Sequence, residues 1–222
     1  MSTAPSHSGS RWAVVDFNGV IGRHPTWKHW SGLAKTSAWS GSTAELQQAF
    51  WLQRAIYDSG QLTPREFWRP LAGRGASLDQ VAELDAAMWL EIDPQVLEVL
   101  QTAARDGIRL VMLSNAPVPV ADLITAAPWA NLFETLLFSC HLGLNKPAAD
   151  AYRAALRAAG DPDPADVIFV DDREDNIAAA DALHLRTHHY QGHPAHLAAD
   201  LQLHGLNELH SGRRLQLVPD PV

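Results

Sequence analysis

Trp12-Ala13-Val14-Val15-Asp16-Phe17-Asn18-Gly19-Val20-Ile21 is the stretch whose reading decides the fold. Four mostly apolar, β-favouring residues run into an aspartate, a glycine lets the backbone turn, and the chain leaves through Val20 and Ile21. A short apolar run of this kind reads as a strand buried on both faces of a parallel sheet. In an open α/β sheet, ligands bind just past the carboxyl ends of the strands, and Asp16 stands at such an end. Aspartate is also common as a solvated residue in strand-to-helix turns. The rest of the chain decides between the two readings.

Working outward, residues 22–92 hold no apolar run of the buried-strand kind. Helical spacing predicts helices over Thr43–Asp58, Thr63–Leu71 and Leu78–Trp89. Ser42 or Thr43 can cap the first, Thr63-Pro64-Arg65-Glu66 resembles a capping box with Pro at the first helical position, and Ser77 can cap the third. Six of the eight tryptophans fall here: Trp27, Trp30, Trp39, Trp51, Trp68 and Trp89. Most read as packing for a small helical bundle, with one or two facing a ligand.

From Asp93 the pattern alternates. Helices are predicted over Pro94–Arg105, Val118–Ala126, Pro147–Ala159, Asn176–Leu183 and Pro194–Leu203, and strands over Ile108–Leu113, Thr135–Phe138, Val167–Val170 and, more weakly, Arg186–Tyr190. Such alternation implies right-handed βαβ units. The expectation is an α/β fold: a doubly wound, Rossmann-like parallel sheet from residues 11–21 and 93–212, with a small helical insertion, 22–92, after the first strand. Residues 1–10 read as a disordered lead-in and 213–222 as a loosely held tail.

The composition, with 46% apolar and 19% charged residues, is that of a globular chain. A net charge of −8 with no Lys/Arg run argues against a nucleic-acid partner. No apolar stretch reaches membrane-spanning length, and the Ser-rich N-terminus lacks the apolar core of a secretory signal. The single cysteine, Cys140, permits no intramolecular disulfide and reads as a packed thiol. A cytoplasmic monomer or homodimer is expected.

Three predicted strands end in polar groups: Asp16 with Asn18, Ser114 with Asn115, and Asp171 with Asp172. Lys146 precedes a helix in Leu144-Asn145-Lys146-Pro147. Singly these read as a helix cap, a turn or a surface charge; together they make one mouth of the sheet. Three crowded carboxylates repel one another. A hard divalent cation such as Mg²⁺ offsets that repulsion and admits an anionic substrate such as a phosphate. Ser114 and backbone N–H groups can hold its oxygens, Lys146 adds a point charge, and Asp16 can attack phosphorus.

The chain resembles the haloacid dehalogenase-like superfamily, with Asp16-Phe17-Asn18-Gly19-Val20, Leu113-Ser114-Asn115, Lys146-Pro147 and Val170-Asp171-Asp172-Arg173-Glu174-Asp175-Asn176 matching its four motifs in order. The stretch from Leu142 to Pro147, followed by Tyr152, looks most like the bacterial sugar-phosphate phosphatase branch that includes glucose-1-phosphate phosphatases. The resemblance implies that Asp16 is the nucleophile and a Mg²⁺ ligand and that the carbonyl of Asn18 is a second ligand. It implies that Asp172 binds Mg²⁺, with Asp171 binding directly or through water. Ser114 and Asn115 would hold the phosphoryl group, Lys146 would orient Asp16 and offset charge, and Asn176 would support the loop. The insertion falls where the family places its helical cap.

One departure matters. Most phosphatases of this superfamily carry an aspartate two residues after the nucleophile as general acid and base; this chain has Asn18. An amide cannot protonate a leaving alkoxide, and general acid–base catalysis contributes roughly 10²–10⁴-fold. The expected function is therefore Mg²⁺-dependent hydrolysis of a small phosphorylated metabolite, a sugar phosphate among the candidates, through an aspartyl-phosphate. Two alternatives stand beside it: a metal-free 2-haloacid dehalogenase, and a binding protein that has lost turnover through Asn18. His188, His189, His193 and His196 lack the helix-borne pair and third ligand of a zinc site. Among residues close after the first motif, His24, Trp27, His29 and Trp30 are candidates to reach the substrate.

Overall fold

The computed structural model describes residues 11–211, with side chains through residue 205. The lead-in 1–10 and the tail 213–222 lie outside the described residues. Five parallel strands form one sheet: β1 (Trp12–Val15), β2 (Arg109–Ser114), β3 (Thr135–Phe138), β4 (Val167–Asp171) and β5 (Arg186–His189), in the order β3-β2-β1-β4-β5. The chain builds outward from β1 to β3 on one side, then crosses back and builds β4 and β5 on the other. The strand order thus reverses at β1, and the crevice at such a switch point is where open α/β sheets take ligands.

The pleat explains the two faces. Ala13, Val15, Leu110, Met112, Ile168 and Val170 pack into one apolar layer, and Trp12, Val14, Val111, Leu113, Val167 and Phe169 into the other. Successive residues of a strand point to opposite faces, so strands covered on both sides read as unbroken apolar runs. The second layer is closed by α8 (Ala149–Ala158) and α9 (Glu174–Asp181). The first is closed by α5 (Pro94–Arg105), α6 (Val118–Ala126) and α10 (Pro194–Ser211).

Between β1 and α5 the chain forms α1 (Trp27–Thr36), α2 (Thr43–Asp58), α3 (Pro64–Trp68) and α4 (Leu78–Met88). Ser42 caps α2 and Thr63 caps α3, each in a capping box closed by a glutamate three residues on. Trp30, Phe50, Phe67, Trp68 and Trp89 are buried together, with Phe50 meeting Trp30 and Phe67 edge to face. This aromatic cluster is continuous with the first apolar layer of the sheet.

Beyond shifts at the ends of other helices, the last of which runs to Ser211 rather than Leu203, three elements differ from the sequence expectation. α1 has no predicted counterpart, because only Trp30 and Leu33 are buried along it and two apolar contacts make no periodicity. α7 (Ser139–Leu142) is a single turn, too short to show any. α8 starts at Ala149 rather than Pro147, since the Ala148 N–H donates to the Asn145 carbonyl in a turn that carries Lys146. Among the described residues no helix is long and apolar enough to cross a membrane.

α10 packs on α5 and carries His204 into the sheet edge, where its Nδ1 stands 3.3 Å from Arg186 Nη1. Burial, reinforced by Arg186, pushes the His204 imidazole down to about 4. The unfolded chain therefore takes up a proton near pH 6.5 that the fold refuses until about pH 4, so stability falls as pH drops through that interval. His204→Leu is expected to lose less stability than the parent between pH 7 and pH 4.5 in urea unfolding; equal losses would remove His204 from this account.

Candidate active site

Asp16 follows β1 directly and is 5% exposed. The chain turns sharply behind it: the Ile21 and Gly22 N–H groups donate to the Phe17 carbonyl at 2.9 and 2.8 Å, and the Gly19 N–H donates to Gly22 at 2.7 Å. Gly19 has φ +81°, and a β-carbon there would lie 2.2 Å from Asp172 Oδ2. Glycine is thus required twice, by conformation and by the approach of a carboxylate.

The strand ends meet as their register dictates. Val15 sits opposite Met112 on β2 and Val170 on β4, so Asp16 stands level with Asp171 and one residue short of Ser114. One oxygen of Asp16, Oδ1, accepts the Phe17 N–H at 2.7 Å and lies 2.9 Å from Lys146 Nζ. Its other oxygen has neither contact. Lys146 Nζ also donates to Asp171 Oδ2 at 2.6 Å. Asp171 Oδ1 accepts from the Arg173 N–H and from Asn176 Nδ2, each at 2.9 Å.

Charge follows from this geometry. Burial is the largest influence on Asp16 and raises its carboxyl, and the neighbouring Asp171 and Asp172 add to the rise against the opposing pull of Lys146. Burial alone would lower the Lys146 ammonium, but Asp16 and Asp171 outweigh it and its affinity for a proton rises. Asp16, Asp171 and Asp172 bring carboxylate oxygens within 4.8 Å of one another. Three carboxylates against one ammonium leave two negative charges, which suits a divalent cation with oxygen ligands. Asp16 and Asp172 have oxygens to offer it. Both oxygens of Asp171 are spent on Lys146, Asn176 and the Arg173 N–H, so Asp171 fits the supporting of its two expected roles.

Ser114 is 1% exposed, and its Oγ is buried without a protein hydrogen-bond partner among the described residues. The same holds for Asn18 Oδ1. Buried polar atoms are ordinarily paired, so these two mark where a ligand's polar atoms belong. Asn115 corrects the sequence reading. Its Oδ1 accepts the Lys146 N–H at 2.8 Å and its Nδ2 donates to the Lys146 carbonyl at 2.9 Å. The side chain fixes the Lys146 loop, and only the Asn115 backbone is left for a phosphoryl group.

A cavity of about 500 Å³ opens over these residues. Asp16, Asn18, Lys146 and Asp172 form its floor; Trp51, Arg54 and Asp58 of α2, with Trp89 after α4, form its roof. His24 lines it too, with Nε2 2.9 Å from Asp172 Oδ2. Of the other three aromatic candidates near the first motif, His29 is spent on the Thr26 N–H, Trp30 is packed among aromatics and Trp27 is 62% exposed. A cavity of about 830 Å³ between α5 and α10 holds none of the strand-end residues.

The roof was not legible in sequence. Arg54 is 3% exposed. Its Nε donates to Asp58 Oδ1 at 2.7 Å and its Nη1 approaches Asp85 Oδ1 at 3.4 Å, while its guanidinium lies 4.9 Å from the Phe50 and Trp89 ring centres. Asp85 also accepts from the Trp68 and Trp89 indoles at 3.2 and 3.1 Å. Burial, opposed by Arg54, pushes the Asp58 carboxyl up to about 6. The available signal was Arg54 and Asp58 four apart between Phe50 and Tyr57, charges set on a helix face that aromatics bury. Cys140 is packed as expected, and burial pushes its thiol up to about 11, far from the thiolate a nucleophile needs.

The sequence profile of haloacid dehalogenase-like hydrolases matches residues 13–184, which take in every strand-end residue of the floor. The chain belongs to that family. Drimenol cyclase drtB of Aspergillus calidoustus is 32% identical over 139 residues, 59% of this chain and 26% of the relative. Sesquiterpene phosphatase astK of Aspergillus oryzae is 28% identical over 131 residues, 57% of this chain and 66% of the relative. The matched region thus spans less than two thirds of these curated relatives. A haloacid dehalogenase-like family enzyme of Bacteroides thetaiotaomicron, solved with magnesium and inorganic phosphate, superposes with a TM-score of 0.69 at 21% identity over 83% of this chain and 96% of that one. The L-2-haloacid dehalogenase RSc1362 superposes with a TM-score of 0.67 at 18% identity over 88% of this chain and all, 100%, of the other. These similarities establish the fold.

The tight fit at Gly19 gives a direct test of the floor. Gly19→Ala is expected to displace the Asp172 carboxylate and lower activity at least about 100-fold, with an unchanged circular dichroism spectrum. Activity within a factor of three of the parent would show that the Gly19–Asp172 approach is not required.

Proposed function

We propose that the protein is a Mg²⁺-dependent phosphatase acting on a small phosphorylated metabolite, with residues 22–92 as a helical cap over the site. The observation that carries this reading is the charge of the floor: three clustered carboxylates held against a single buried lysine. A metal-free pocket of that charge repels a 2-haloacid carboxylate, whereas a dication converts it into a site for an anion. The magnesium and phosphate found with the Bacteroides enzyme, and the name of the Aspergillus sesquiterpene phosphatase, support the same chemistry.

Asp16 and Asp172 would hold Mg²⁺, joined by the Asn18 carbonyl; when bound, the cation offsets phosphate charge in the site. The residues of this chain do the rest. The Phe17 N–H and Lys146 fix the Asp16 carboxylate through Oδ1, and one oxygen of that carboxylate attacks phosphorus. The bond from phosphorus to the leaving oxygen breaks as the new one forms, and an aspartyl-phosphate results. Ser114 Oγ donates to a phosphoryl oxygen, which supplies the partner it lacks. Water then attacks phosphorus, the bond to Asp16 breaks, and inorganic phosphate leaves with Asp16 regenerated. Asn18 can hydrogen-bond the leaving oxygen without giving it a proton. The reaction therefore favours leaving groups of low pKa, and a sugar 1-phosphate meets that demand.

Asp16→Ala is expected to abolish phosphate release, and Asp172→Ala to weaken Mg²⁺ binding at least about tenfold in titration calorimetry. Chloride release from 2-chloropropionate in the presence of a chelator, without phosphatase activity, would establish the dehalogenase instead. Across aryl and alkyl phosphates the rate is expected to fall steeply as leaving-group pKa rises, and Asn18→Asp to flatten that slope. Parallel slopes in the two proteins would show that another group already supplies the proton.

A further inference from the structure

The floor accounts for the phosphate end of a substrate and leaves the roof unexplained. Two roof features face the same way. Asp58 meets Arg54 through Oδ1 only, and Asp58 lines the cavity. Asn145 Nδ2 donates to the Ala55 carbonyl at 2.6 Å, and its Oδ1 is buried without a protein partner among the described residues. Because Ala55 presents a carbonyl, the amide must turn its NH₂ toward α2, and the oxygen then points elsewhere. Asn145 also lines the cavity, and Ala55 belongs to the turn of α2 that bears Arg54 and Asp58.

The roof therefore offers acceptors. Arg54 is the cation among them, and it is already divided between Asp58 and Asp85. Two carboxylates share that one guanidinium, so it has no charge to spare for an anion. An unpaired buried acceptor costs stability until a donor reaches it, and a second anion placed there meets a carboxylate without a spare cation.

We propose that Asp58 and Asn145 form a leaving-group subsite that selects a hydroxylated, uncharged leaving group and rejects one bearing a second anionic group. The proposal rests on the phosphatase reading for the orientation of the substrate, phosphate on the floor and leaving group under the roof. Asp58 and Asn145 each accept a hydrogen bond from a substrate hydroxyl, so they determine specificity and take no part in the transfer itself. Trp51 and Trp89 supply apolar walls beside these acceptors.

The parent is expected to hydrolyse a hexose 1-phosphate at least about tenfold better, in kcat/KM, than the corresponding 1,6-bisphosphate or a prenyl monophosphate. Asn145→Ala and Asp58→Asn should each lower the ratio of hexose 1-phosphate to phenyl phosphate turnover about tenfold, mainly through KM. Asp58→Asn should also narrow the discrimination against the bisphosphate. Asn145→Ala leaves the Arg54 ion pairs intact, so it tests the subsite even where Asp58→Asn is poorly folded. A second readout is independent of turnover. In Asp16→Ala protein, quenching of tryptophan fluorescence by hexose 1-phosphate should weaken on adding Asn145→Ala, while quenching by phenyl phosphate changes less. Parallel loss on both ligands, or a parent that prefers the bisphosphate or the prenyl phosphate, overturns the proposal. If the parent hydrolyses no ester but binding still depends on Asn145 and Asp58, the phosphatase reading fails and the subsite stands; absence of both hydrolysis and binding overturns both.

Discussion

The buried ammonium of Lys146 between Asp16 and Asp171 is the constraint on which the site depends. Taking three charges out of water is costly, and only close pairing with further hydrogen bonds offsets it. The structure supplies both: Lys146 Nζ lies 2.9 Å from Asp16 and 2.6 Å from Asp171, and the Phe17 N–H, the Arg173 N–H and Asn176 take up further carboxylate lone pairs. Removing one partner of a buried pair typically costs roughly 3–5 kcal/mol, because the other charge is left uncompensated. The same arrangement sets the geometry of the site. By holding Asp16 Oδ1, Lys146 and the Phe17 N–H fix the orientation in which the carboxylate faces the cavity.

Lys146 comes from a loop after β3, far in sequence from β1 and β4, so the fold must bring it home. Asn115 does this by binding both the N–H and the carbonyl of Lys146. Asn115 itself follows β2, the direct neighbour of β1. Asp16, the residue that fixes the lysine and the residues that answer its charge thus stand at the ends of three adjacent strands whose register is set by two apolar layers. A slip of one residue would exchange those layers, so packing of the core and geometry of the site are one constraint.

The floor was legible because its chemistry is written in short, ordered stretches. Apolar runs located four of the five strands, three of which end in polar residues, and Asp16, Lys146 and Asp171 came together as their positions implied. The bond of the Asn115 side chain to the Lys146 loop was not foreseen, since nothing local tells whether a side chain turns to a ligand or to another loop. The roof was illegible for a related reason. Arg54, Asp58 and Asp85 look like ordinary surface charges on amphipathic helices, and only the packing of Phe50, Trp68 and Trp89 around them buries the network. Asn145 lies beside Lys146 in sequence, but its role depends on a carbonyl of α2 that sequence does not bring near.

Floor and roof differ in what they ask of a ligand. The floor carries two negative charges that a dication offsets, and Ser114 behind it holds an unpartnered hydroxyl among the described residues. The roof has no spare cation, since Arg54 is shared by Asp58 and Asp85, and it presents acceptors. A ligand with one anionic end and one hydroxylated end satisfies both at once in a single orientation, and the inverted orientation sets an anion against Asp58. That polarity orders the substrate before any chemistry. It also bears on Asn18. Where the protein gives the leaving oxygen no proton, rate depends more heavily on how well Asp16 is aligned for attack. Under the proposed reading, hydrogen bonds to the far end of the leaving group would supply that alignment, and the roof would act on rate without touching the reacting atoms.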